Sequence, residues 1–215
     1  MSDSSGQPLP PTPATPGYSL SALPLRARLA RALRRALRID RERRWNREFA
    51  EGKWQWLHNL DELAHHGVLA AYISYCKPNS RVLDVGCGSG TLHQQLRGCY
   101  ATYVGIDYAE PVKLAAQHGD ARSTFIAADM NEFTPEGQFD VIVFNESIYY
   151  LVDLLDGLKR YEGMMAPDAL FVVSMHGQPR NLALWAQIDS TYQVLDAVTI
   201  TNQRGVQWTC KVFRR

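Results

Sequence analysis

Val82-Leu83-Asp84-Val85-Gly86-Cys87-Gly88-Ser89-Gly90 joins a short apolar run to a glycine-rich turn. An apolar run of this kind reads as a buried strand. Glycines let the backbone take positive φ and approach a ligand closely. The spacing is GxGxG, which differs from the GxGxxG of dinucleotide loops. No GK[ST] follows, so a P-loop is excluded. Asp84 stands just before the turn. A carboxylate there repels a pyrophosphate and suits a ligand that carries an ammonium group.

Downstream of this turn, strand and helix patterns alternate. Arg81–Val85, Tyr103–Ile106, Thr124–Ala127, Phe139–Phe144 and Ala169–Met175 read as strands. Thr91–Arg97, Glu110–His118, Leu151–Met165 and Leu182–Ile188 read as helices, with Ala166-Pro167-Asp168 ending the third. Ala197–Asn202 and Gln207–Phe213 flank Arg204-Gly205 as a hairpin. The expectation is an α/β fold: seven strands, mostly parallel, helices on both faces, and an antiparallel C-terminal hairpin.

In open sheets of this class, ligands sit outside the carboxyl ends of the strands. Gly105-Ile106-Asp107 ends the second strand with a carboxylate, about 20 residues past the glycine turn, the place from which an acid accepts ribose hydroxyls. Ala127-Ala128-Asp129-Met130 ends the third, where an acid can accept an adenine amino group with Met130 against the ring. S-adenosylmethionine carries an α-amino group, a sulfonium, a ribose and an adenine, but no phosphate.

VLDVGCGSG, GID, AADM and FDVIVFNESIYYL together resemble the signature of class I S-adenosylmethionine-dependent methyltransferases, over roughly Arg81 to Arg215. The resemblance implies a Rossmann-like sheet. It implies that Asp84, Gly86, Cys87, Gly88 and Gly90 surround the methionine portion of the cofactor. Asp107 would then hold the ribose, with Tyr108 also at the cofactor, Asp129 and Met130 flank the adenine, and Asn145 stand near the methionine end. The segments Phe49–Leu57 and Asn145–Leu151 are similar to small methyltransferases found among glycan and natural-product genes, and more loosely to nodulation-factor N-methyltransferases. That likeness implies that residues 45–78 form a helical cap, with Trp54, Trp56 and Tyr149 against the acceptor.

Methyl transfer from a sulfonium is an in-line displacement, so positioning supplies most of the help. A hydroxyl acceptor also calls for a base, and an amine must arrive neutral. Glu146, Tyr150 and His176 stand after the fourth and fifth strands and are the candidates. His65, His66, His93 and His118 fall on helices and read as surface or packing residues. Metal-dependent relatives place an Asp after the fourth strand and Asp-Asn after the fifth. Here Asn145-Glu146 and His176-Gly177 stand there, so no metal is expected.

Upstream of the core the composition changes. Residues 1–19 are rich in Pro, Ser, Thr and Gly, which reads as a disordered tail. Nine arginines crowd between Arg26 and Arg44, while Leu25, Leu29, Leu33 and Leu37 line one helical face. Such a basic amphipathic helix over 20–44 suits packing on the domain, docking on an anionic membrane surface, or gripping a partner. The whole chain of 215 residues carries a net charge of only +1. Its four cysteines form no CxxC pair, and it shows neither a secretory signal nor an apolar run of the roughly 20 residues a transmembrane helix needs. A cytoplasmic protein with reduced, buried thiols is expected.

The leading expectation is therefore methylation of an oxygen or nitrogen on a small molecule or saccharide, including a lipid-linked glycan. A nucleic-acid methyltransferase using the arginine segment is the alternative. Asn145-Glu146-Ser147-Ile148 lacks the Asn-Pro-Pro-Tyr that base methylation would suggest, which makes nucleic acid the weaker partner. A cofactor-binding scaffold without catalysis is the third reading.

Overall fold

The computed structural model describes residues 39–135 and 137–215. Residues 1–19 and most of the expected basic helix lie outside the described residues. Residues 39–41 are helical, and residues 42–215 form one compact unit. Within this unit the chain opens with a helix over 42–50 (α1). A 3-10 turn, Gln55–His58, and a long helix, Leu60–Cys76 (α2), come next.

The core holds Arg81–Val85 (β1), Thr91–Leu96 (α3), Thr102–Asp107 (β2), Ala109–Ala116 (α4), Ser123–Ala127 (β3) and Phe139–Asn145 (β4). It continues with Leu154–Glu162 (α5), Met165–His176 (β5), Pro179–Thr191 (α6), Gln193–Thr201 (β6) and Gln207–Arg214 (β7). The seven strands run in the order β3-β2-β1-β4-β5-β7-β6. The first five are parallel, and β7 lies antiparallel between β5 and β6. The strand order turns back between β1 and β4, which opens a crevice at their carboxyl ends.

Side chains alternate across a strand. Leu83 and Val85 of β1 therefore join Ile142, Phe144, Phe171 and Val173 beneath α5 and α6. Val82 joins Val141, Val143 and Val172 on the opposite face, under Leu69 and Ile73 of α2 and Leu92 and Leu96 of α3. Both faces are covered, as a parallel sheet requires.

Several boundaries differ from the sequence reading, among them the start of β6, which lies at Gln193 rather than Ala197. Pro167 does not end a helix; it sits inside a bulge at the start of β5, where Phe139 pairs with Met165 but Val141 pairs with Leu170. Asp168 takes a positive φ there. The expected helix from Leu151 starts later, because Asp153 caps α5 by accepting the Asp156 N–H at 2.9 Å. Helix α6 extends beyond its apolar stripe in both directions, from Pro179 at its first turn to Thr191. Of the thiols, Cys87 and Cys210 are buried as expected, Cys76 is half-buried and Cys99 is exposed. Among the described residues no helix is long and apolar enough to cross a membrane.

Candidate active site

The glycine turn is fastened from two sides. Gly86, Gly88 and Gly90 all take positive φ. A side chain at Gly86 would bring its Cβ to 2.5 Å from Cβ of Ser147. Ser147 donates its hydroxyl to the Val85 carbonyl at 2.5 Å, which locks the segment after β4 onto the end of β1. Beside Gly88 the space is open: an added Cβ would meet nothing within 4 Å. A ligand can approach the backbone there.

Asp107 closes the other side. Its Oδ2 accepts the Gly88 N–H at 2.9 Å and its Oδ1 the Tyr108 N–H at 2.7 Å. Burial pushes its pKa up to about 6, against the pull of those two N–H donors. Each carboxylate oxygen keeps a lone pair for a hydroxyl. Cys87 turns its thiol inward, below Gly105.

Asp84 is not at the surface of the crevice. It is fully buried, and Oδ2 accepts the Tyr103 hydroxyl at 2.5 Å. Strand alternation puts it on the same face as Val82, below the turn. Its other oxygen, Oδ1, is buried without a hydrogen-bond partner among the described residues. Burial raises its pKa to about 7.

Asp129 holds the end of β3 by accepting the Asn131 backbone N–H at 2.8 Å. Asn131 reaches across to the loop after β4, accepting the Val152 N–H at 2.9 Å. The Met130 carbonyl takes donors from Arg160 and the Tyr161 hydroxyl, and its side chain lies near Gly86. The glycine turn, Asp107 and Met130 thus border one groove, whose open space at Gly88 and free acceptor positions at Asp107 fit the adenosine and methionine parts of S-adenosylmethionine.

Helix α1 spans this groove. Asn46 accepts the Glu110 N–H at 3.0 Å on the β2 side. Trp45 meets Tyr150 edge-on at 5.5 Å on the β4 side. Trp54 stacks on Trp45 at 4.4 Å, Trp56 tilts against Trp54 at 5.8 Å, and Tyr149 packs edge-on to Tyr150 at 4.7 Å. The four aromatic candidates thus form one wall with Trp45 and Phe49. Arg180 lies over the Tyr149 ring, its guanidinium 5.6 Å from the centroid.

Glu146 and His176 come together at the ends of β4 and β5. Glu146 Oε2 accepts the His176 backbone N–H at 2.9 Å, and Oε1 accepts the Ser174 hydroxyl at 3.0 Å. Tyr149 donates to Oε2 at 3.4 Å. Glu146 takes a positive φ, a strained choice for a side-chain-bearing residue. Burial raises its pKa to about 7 despite three hydrogen bonds, with the Glu62 charge adding to the rise. Asn145 Oδ1 lies 2.8 Å from the same Ser174 hydroxyl and shares its single proton with Glu146.

Helix α2 supplies residues that sequence reading treated as surface or packing. His65 and His66 are buried side by side, their rings 4.2 Å apart, and Glu62 is buried one turn before. Burial lowers His65 to about 2 and His66 to about 4, so both are neutral. His58 lies 3.0 Å from the Ser89 hydroxyl of the glycine turn. The signal in the sequence was Glu62-Leu63-Ala64-His65-His66, polar residues at one-turn spacing on an otherwise apolar helix. Among the described residues no three His, Cys, Asp or Glu side chains group so as to hold a metal ion.

Comparison with known proteins gives the family and the fold. Residues 27–212 match the profile of a family described as a methyltransferase domain. A ubiquinone biosynthesis O-methyltransferase of Bradyrhizobium diazoefficiens is 34% identical over 104 residues, 46% of this chain and 41% of the relative. A trans-aconitate 2-methyltransferase of Yersinia pestis is 30% identical over 116 residues, 53% of this chain and 43% of the relative. The matched stretch thus spans less than half of each curated relative. Among solved structures, the N-methyltransferase NodS of Bradyrhizobium japonicum with S-adenosylhomocysteine superposes with a TM-score of 0.65 at 20% identity, over 75% of this chain and 91% of that one. The 1,6-didemethyltoxoflavin N1-methyltransferase of Burkholderia thailandensis gives 0.66 at 18%, over 81% and 86%. At these identities the likeness is one of fold.

Proposed function

Since the chain belongs to the family of methyltransferase domains, we propose that it is an S-adenosylmethionine-dependent enzyme that methylates an oxygen or nitrogen of a small, ring-bearing acceptor. The observation that carries this reading is one sheet edge holding both halves of the reaction. The glycine turn clasped by Asp107 lies at β1 and β2, and the Glu146 carboxylate lies at β4. Bound S-adenosylmethionine supplies a methyl group on a sulfonium, already a good leaving group.

The protein's own residues do the rest. Asp107 and the Gly88 backbone orient the ribose and methionine parts, and Met130 and Asp129 the adenine. Helix α1 and residues 45–78 act as a cap that keeps water from the groove. Glu146 takes the proton from the acceptor as its nucleophile attacks, with a pKa near the working range of a general base. His176 holds Glu146 through its backbone N–H, and its ring stands ready as an alternative acceptor. Tyr150 serves the aromatic wall. The wall of Trp54, Trp56 and Tyr149 supports a planar ring or sugar face as the bound portion. A saccharide or lipid-linked glycan fits that wall, and the arginines of 20–44 would then hold the protein at an anionic membrane.

Calorimetric titration with S-adenosylhomocysteine tests the cofactor site. Binding that Asp107→Ala abolishes supports the reading. A folded wild-type protein that binds neither S-adenosylhomocysteine nor S-adenosylmethionine refutes it in favour of a scaffold that keeps the fold without the cofactor.

A further inference from the structure

Trp208 of β7 pairs directly with His176 of β5. The His65 ring stacks on its indole at 5.0 Å, nearly parallel at 16°, and the His176 ring meets it edge-on at 5.8 Å. Trp208 thus joins two polar pairs: Glu146 with His176 from the strand ends, and Glu62 with His65 from α2. Glu62 Oε2 lies 3.9 Å from Nδ1 of His65, beyond hydrogen-bond reach. Both ring nitrogens of His65 and Nδ1 of His176 are buried without a hydrogen-bond partner among the described residues.

Buried polar atoms in folded proteins are almost always paired, by protein, water or ligand. His65 is 1% exposed and held neutral by its burial, so it offers one donor and one acceptor with nothing attached. Glu62 is buried beside it, and burial raises its pKa. No Lys or Arg forms an ion pair with Glu62 or Glu146 among the described residues. An anionic acceptor would meet two acids with no cation paired to either. A neutral group with both a donor and an acceptor would satisfy the idle nitrogens.

Resting on the methyltransferase reading above, we propose that Glu62 and His65 form a second acceptor-binding pair, which holds a hydroxyl adjacent to the one presented to Glu146. The acceptor is then a vicinal diol carried on a ring. One oxygen loses its proton to Glu146 and forms a bond to the methyl group as the sulfonium's S–CH3 bond breaks, with neutral S-adenosylhomocysteine as the leaving group. Its neighbour stays protonated, donating to one pair member and accepting from the other. The aromatic wall covers the ring, and either an aromatic or a saturated ring supplies the same diol.

The test uses simple probes on the whole protein, with and without S-adenosylhomocysteine, read by ligand-observed NMR. Catechol is compared with phenol and benzoate, and cis-1,2-cyclohexanediol with cyclohexanol. Each diol is expected to bind about tenfold or more tighter than its single-hydroxyl counterpart, equivalent to one good hydrogen-bonded group, with benzoate weakest. Preference confined to one of the two series identifies the ring. Glu62→Gln and His65→Phe, the latter keeping a ring against Trp208, should each bring the diol down to the single-hydroxyl level while S-adenosylhomocysteine affinity is unchanged. Equal binding of diol and single hydroxyl by the wild type overturns the proposal. So does a preference that survives both substitutions. If His65→Phe fails to fold, Glu62→Gln decides. Loss of S-adenosylhomocysteine binding with the diol preference intact refutes the methyltransferase reading and leaves this pair standing; the reverse result refutes the pair alone.

Discussion

The Tyr103 hydroxyl lies 2.5 Å from Oδ2 of Asp84, inside the sheet and directly below the glycine turn. Tyr103→Phe leaves a buried carboxyl without its donor. Urea unfolding should show a loss of about 1–3 kcal/mol, the usual result of orphaning a buried polar group.

Asp84 also gives stability a pH dependence. Its pKa is about 7 folded against an ordinary 3.8, so between those values the unfolded chain binds fewer protons than the folded one. Stability from this group is full below about 4 and falls as pH rises toward 7. Asp84→Asn should flatten that decline. The neutral buried His65 and His66 act in the opposite sense, losing stability on acidification below 6.5, so the variant is compared with the wild type at each pH.

Gly86 and Gly88 should separate folding from binding. Gly86→Ala drives a Cβ against Ser147 and should lower the melting temperature as well as binding. Gly88→Ala meets open space, at the cost of a left-handed φ worth about 1 kcal/mol. It should melt within several degrees of the wild type yet bind S-adenosylhomocysteine at least about tenfold more weakly, because the methyl occupies ligand space.

If Glu146 is the base, methyl transfer should rise about tenfold per pH unit below pH 7 and level off above it, since only the carboxylate accepts a proton. Glu146→Gln should lower kcat by about 10²–10⁴-fold and remove that acidic limb, with cofactor affinity unchanged. Persistence of the limb in the variant would assign it elsewhere.

Asn46→Ala removes the bond from α1 to Glu110 without touching the groove floor. Stopped-flow displacement should show faster release of S-adenosylhomocysteine, with an unaltered melting temperature.

What could be read from sequence was whatever is encoded locally. The strand–turn–acid patterns of β1, β2 and β3 lie within a few residues, and the sequence marked all seven strands, although β5 and β6 begin earlier than expected, at Met165 and Gln193. The burial of Asp84 was legible too, since the alternation of Val82 and Asp84 against Leu83 and Val85 already gave its side of the sheet. Asn46, Asn131 and Ser147 were missed because a short polar residue in a loop or on a helix carries no pattern; its partner is set by topology. His65 and His66 were read as surface or packing residues because helical periodicity gives the inward face of α2 but not what lies opposite. That partner, Trp208, comes from a strand inserted between two others.

The insertion of β7 also bears on the order in which the protein assembles. The clasp between Gly88 and Asp107 closes a short loop, whereas His65 can meet Trp208 only after most of the chain has been brought together. Long-range closures of that kind form late and slowly. The cofactor turn can therefore form while the packing of His65 on Trp208 is still missing, and that contact is completed only with the last-placed strand.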